Sequence, residues 1–140
     1  MNKDVTVKIE SIIRSEQGSE DIKSKARGAY FKKDECLYIL YDEKNEEEVI
    51  NKCRLKVYTD RLEMKKSGPY TTGMTFTRDE ITKCHYKTPF GALDLEIETT
   101  GYDLVIDERD IKLKLKYRLL SGKAVMSEHI MNISVTDREE

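Results

Sequence analysis

The sequence predicts an all-β fold: one antiparallel up-and-down β-barrel of roughly eight to ten strands, a single domain over residues 1–140. Three observations carry this expectation. Thirty residues are Val, Ile or Thr and only four are Ala; β-branched side chains suit a pleated surface, whereas Ala suits a helix. Apolar and charged residues alternate with a period of two in several stretches, as in strands with one buried and one wet face. Turn-prone residues separate the stretches at near-regular intervals.

Taken in order, Val5-Thr-Val-Lys-Ile9 opens the chain with alternation, and Gln17-Gly18-Ser19 marks a turn. A weaker run covers Ile22 to Lys33, where one parity carries Ile22, Ser24, Ala26, Gly28 and Tyr30. Small residues on an inward face leave room for bulky neighbours or for a ligand. Cys36 to Glu43 is a third run. Asp42 to Arg54 has a short amphipathic helix as its rival, because an acidic start precedes Val49, Ile50 and Cys53. Cys53-Arg-Leu-Lys-Val57 alternates again, followed by Arg61 to Lys66, the turn Ser67-Gly68-Pro69, and Met74-Thr-Phe76. In Ile81 to Thr88, Cys84, Tyr86 and Thr88 share the inward parity against Lys83, His85 and Lys87. Pro89 lacks a donor and Gly91 tolerates positive φ, so Thr88-Pro-Phe-Gly91 is a turn. Leu93-Asp-Leu-Glu-Ile-Glu-Thr99 and Ile111 to Leu119 are the most regular strands. Asp107 to Asp110 turns between them. Ser121-Gly122 precedes the last run, Val125 to Thr136, and residues 137–140 are expected to fray.

Charge and chemistry narrow the function. Lys and Arg number 25 against 27 Asp and Glu, a net charge of -2, so neither nucleic acid nor a membrane surface is an expected partner. Met1 to Glu10 contains no signal-like apolar run, which points to the cytoplasm. Cys36, Cys53 and Cys84 lie far apart in no zinc-ligand spacing, and they are expected to be reduced, core-type thiols without metal. His85 sits among outward lysines; His129 shares parity with Met131 and Ile133 and is expected to be neutral and partly buried. No hydrolase, zincin or nucleotide-loop motif occurs, so no catalytic residue and no cofactor is assigned.

With the apolar parity turned inward, Tyr86, Tyr117 and Tyr30 are the candidate contacts for a ligand in the lumen. Each presents an apolar ring with a polar tip. Apolar walls with a few placed hydroxyls suit a small apolar or amphipathic molecule. The alternative is a filled core whose tyrosines bond to one another, in a module that docks on a protein partner or a second copy of itself.

The segment His85-Tyr-Lys-Thr-Pro-Phe-Gly-Ala-Leu-Asp-Leu-Glu-Ile-Glu-Thr99, with Tyr86, Thr88, Gly91 and Thr99 at signature positions, resembles the core of the YwiB-like family. Gly28-Ala-Tyr30, Tyr38 to Glu43, Leu115 to Leu119 and Ile133 to Asp137 extend the resemblance over nearly the whole chain. It implies a calycin-like, or lipocalin-like, β-barrel and no particular activity, because the family is one of unknown function. One position departs: where the family commonly has Arg-x-Gly, this chain has Lys66-Ser-Gly68.

Overall fold

The computed structural model describes residues 3–44, 50–68 and 71–138. These form ten strands and no helix: β1 (Asp4–Ser15), β2 (Gly18–Lys33), β3 (Cys36–Lys44), β4 (Ile50–Val57), β5 (Arg61–Ser67), β6 (Thr71–Thr77), β7 (Ile81–Thr88), β8 (Gly91–Ile106), β9 (Asp110–Ser121) and β10 (Ala124–Asp137). Each strand pairs antiparallel with its neighbours in sequence, and β1 pairs with β10 from Val5–Asp137 to Arg14–Glu128, closing an up-and-down barrel. Closure removes the sheet edges that would otherwise template aggregation.

The expected runs all fall on strands. The helix considered within Asp42 to Arg54 is replaced by strand through Lys44 and again from Ile50; residues 45–49 lie outside the described residues. The C-terminal tail is held as far as Arg138, whose backbone N–H donates to Asp4 O at 3.1 Å. Gly91 has φ 138°, which favours glycine, and it pairs with Thr88 across the two-residue turn Pro89–Phe90. Gly28 answers a different need. A Cβ there would lie 2.8 Å from Leu40 O and 3.0 Å from Val7 Cγ2, so β2 approaches β3 and β1 only without one.

The core follows the period of two. Leu113, Leu115 and Ile97 are buried, Lys112 and Lys114 are exposed, and Glu96 is half-buried. Ile39, Leu55, Leu62, Phe76, Leu115 and Val135 have no accessible surface, so side chains fill the middle of the barrel. A bulge in β8 between Thr99 and Gly101 shifts the parity and turns Tyr102 inward. Its hydroxyl lies 2.6 Å from Tyr58 O and 2.7 Å from Arg61 O, tying β8 to the turn between β4 and β5 and closing the lower end. The upper end, the mouth, is where β1–β2, β7–β8 and β9–β10 turn and where the strand ends are most exposed.

Candidate functional site

Residues paired across an antiparallel ladder face the same side of the sheet. The register therefore sets Tyr41, Cys53, Lys66, Thr72, Tyr86 and Leu93 in one inward row across β3 to β8. Strands tilt in a barrel, so such a row climbs along the axis. Tyr41, Cys53 and Thr72 are buried, Tyr86 is 37 % exposed and Leu93 51 %. The row runs from the core to the rim.

Glu43 and Asn51 form a cross-strand pair beside this row. The Lys66 ammonium donates to Glu43 Oε2 at 2.6 Å, and Asn51 Nδ2 donates to Glu43 Oε1 at 3.1 Å. Burial alone would raise the Glu43 carboxyl; the hydrogen bond and charge of Lys66, with the Asn51 amide, outweigh it and hold the group below its usual value. Two atoms of the cluster stay under-satisfied. Asn51 Oδ1 is buried with no hydrogen-bond partner among the described residues, and the buried Tyr41 hydroxyl meets only the soft Cys53 thiol, its cross-strand neighbour. Burial pushes the Tyr41 phenol far above its ordinary value, with Cys53 and Glu43 adding to the shift. Burial and Glu43 also raise the Cys53 thiol against the opposing Lys66 charge. Both groups are neutral donors at physiological pH. A protonated thiol is a poor nucleophile.

The facing wall is largely apolar. Ile9, Leu95, Leu119 and Met131 are partly buried and packed on the core. Among them the Tyr117 ring meets Phe76 edge-on at 4.7 Å and stacks on His129 at 4.5 Å. His129 Nε2 shares a hydrogen bond with Ser127 Oγ at 2.7 Å, and burial lowers its pKa, so it is neutral in the fold. Outside the barrel His85 Nδ1 lies 2.6 Å from Asp94 Oδ1 in an exposed pair. Among the described residues no group of three His, Cys, Asp or Glu is placed to hold a metal.

The three sequence-selected tyrosines do not converge. Tyr86 stands at the upper rim. Tyr117 lies in the core beneath the mouth. Tyr30 pairs with Ile39 near the lower end of β2, half-buried against the core. Sequence reasoning missed Tyr41, Glu43, Asn51 and Lys66 as a group. The signal was available in part: Leu37, Ile39, Tyr41 and Glu43 continue one inward parity, and Lys66 is the position at which the chain departs from the family pattern.

Known proteins share this architecture. Residues 7–133 match the family described as Domain of unknown function (DUF1934). The uncharacterized beta-barrel protein YwiB of Bacillus subtilis (strain 168) is 25 % identical over 132 residues, 94 % of this chain and 91 % of that protein. The crystal structure of ywiB protein from Bacillus subtilis matches with a TM-score of 0.86 at 23 % identity, covering 98 % of this chain and 93 % of that one. At that identity the likeness establishes the fold. With a family match across all but the ends of the barrel, the chain belongs to the DUF1934 family.

Proposed function

We propose that the protein is a non-enzymatic, cytoplasmic binding barrel whose upper mouth takes one small amphipathic molecule. The supporting observation is a pair of under-satisfied buried polar atoms on one wall, Asn51 Oδ1 without a partner and the Tyr41 hydroxyl with only the weakly accepting Cys53 sulfur. Leaving a buried donor or acceptor unsatisfied costs about 1–3 kcal/mol. A ligand head carrying an acceptor and a donor would recover that loss, as an amide or a hydroxyl does. Its apolar body would lie against Leu95 and Leu119, with Tyr86 at the rim and Tyr117 as the floor. Tyr30 takes no part in this arrangement and serves packing at the lower end. Because the middle of the barrel is filled, the molecule sits in the mouth and is not engulfed.

The dye 8-anilinonaphthalene-1-sulfonate tests this, since it combines an N–H donor, an anionic acceptor and an apolar body. Tyr41→Phe removes only the hydroxyl. Expected is a loss of about 0.5–1.5 kcal/mol in dye affinity, with little change in the urea midpoint because the hydroxyl gives up only a weak bond to the Cys53 thiol. Equal dye affinity in the two proteins, or a variant that loses stability instead, overturns the proposal. A docking module is the second reading, favoured by Phe90, 96 % exposed at the tip of the β7–β8 hairpin beside the exposed Leu93. Wild-type protein that binds no dye but self-associates through that tip would support it.

A further inference from the structure

A second feature lies on the outer wall, across the sheet from the polar cluster, and Tyr41 and Cys53 border it as well. The outward residues Ala29, Leu40, Arg54 and Lys65 stand side by side across β2 to β5. They form part of an open groove of about 550 Å³. Five cations line it, Arg27, Lys52, Arg54, Lys65 and Arg138, against two carboxylates, Asp4 and Asp42. The chain as a whole has a net charge of -2, so the fold has gathered positive charge here. Arg27, Lys52, Arg54 and Lys65 make no ion pair among the described residues, so their charges are available to a ligand.

Apolar surface accompanies the charge. Leu40 is 40 % exposed in the groove, and Phe31 is 43 % exposed on the neighbouring row. Phe31 pairs with Tyr38, whose ring carries the Lys56 ammonium 5.4 Å from its centroid. Cations that follow a backbone, next to flat rings on which bases stack, are the elements of a single-strand nucleic-acid platform. A duplex shields its bases and uses only the charges.

We propose that this outer groove binds single-stranded nucleic acid, with Arg27, Lys52, Arg54 and Lys65 on phosphates and Phe31 under a base. Adjacent strands lie about 4.8 Å apart, so the wall from β2 to β5 spans about 14 Å, enough for a few phosphates of an extended strand.

Fluorescence anisotropy of a short labelled oligouridylate on the intact protein is the test. Four phosphate contacts to a single strand predict that log K falls with log salt at a slope of about -3. Arg54→Glu with Lys65→Glu should lower affinity by about tenfold or more and flatten that slope by about 1.4. Lys112→Glu with Lys114→Glu, on the outer face of β9, serves as the matched charge control and should bind more tightly than the groove variant. Phe31→Ala should weaken the oligouridylate while leaving the salt slope unchanged. Thermal melts of every variant distinguish lost binding from lost fold. The proposal fails if folded groove variants bind like wild type, if both charge-reversed proteins weaken equally, if duplex of equal length binds as tightly, or if phosphatidylglycerol vesicles bind and the oligouridylate does not.

Discussion

His129 shows how burial becomes pH dependence. It stacks on Tyr117 and shares a hydrogen bond with Ser127. Burial lowers its pKa below that of an ordinary histidine. In the unfolded chain it titrates near 6.5. Above that value it is neutral in both states and adds no pH dependence. As pH falls below it, the unfolded chain takes up the proton first, so native stability declines until the folded pKa is reached. Urea unfolding of His129→Gln should show a shallower loss of stability than wild type between about pH 6.5 and 5. The two curves should run parallel above about pH 7.5, and parallel curves throughout would refute the assignment. Glu43 acts in a lower window. Its folded pKa is depressed, so its contribution is present above the unfolded value of about 4.3 and is lost as pH falls through the folded one.

The strands are not equally bound to their neighbours. β6 and β7 pair through Thr71–Lys87, Thr72–Tyr86 and Gly73–His85, while β8 and β9 pair from Glu96–Leu120 to Ile106–Ile111. Towards the turn the β6–β7 ladder gives way, and the Thr82 hydroxyl donates to Thr75 O in place of a backbone donor. The turn itself leans on β8 instead: Asp79 N donates to Thr99 O at 2.9 Å and Thr99 N to Glu80 O at 3.2 Å. Backbone groups without ladder partners open at lower free energy than the global transition. Amide exchange should therefore be faster for groups of Met74 to Phe76 facing β7 than for those facing β5. Uniform protection across both sides of β6 would show the seam to be as tight as the rest.

At the scale of the molecule, the three thiols report on the barrel as a unit. Cys36, Cys53 and Cys84 stand on three strands, all free and buried. Burial raises the pKa of Cys53 and Cys84, reducing the thiolate that would react. An aromatic disulfide reagent should therefore leave the native protein unmodified and label all 3 cysteines only in denaturant, at a rate set by global unfolding. Rapid labelling of any one thiol in buffer would reveal local opening instead.

Strand content and barrel class were legible because the period of two is local. Ile111 to Leu119 alternates without interruption, and the structure buries one parity and exposes the other as far as Tyr117. Two classes of fact were not legible. A bulge shifts parity by one residue, so Tyr102 turned inward where alternation counted from Leu93 would place it outside. Convergence also depends on register between strands far apart in sequence. Glu43, Asn51 and Lys66 meet because β3, β4 and β5 pair at particular residues, and no periodicity within one strand encodes that. Charge obeys the same division. Composition determined the net charge of -2, while cross-strand pairing placed Arg54 beside Lys65 on the outer wall. The physical reason is common to both: alternation assigns a side chain to a face, and only the closed hydrogen-bond ladder decides which faces meet.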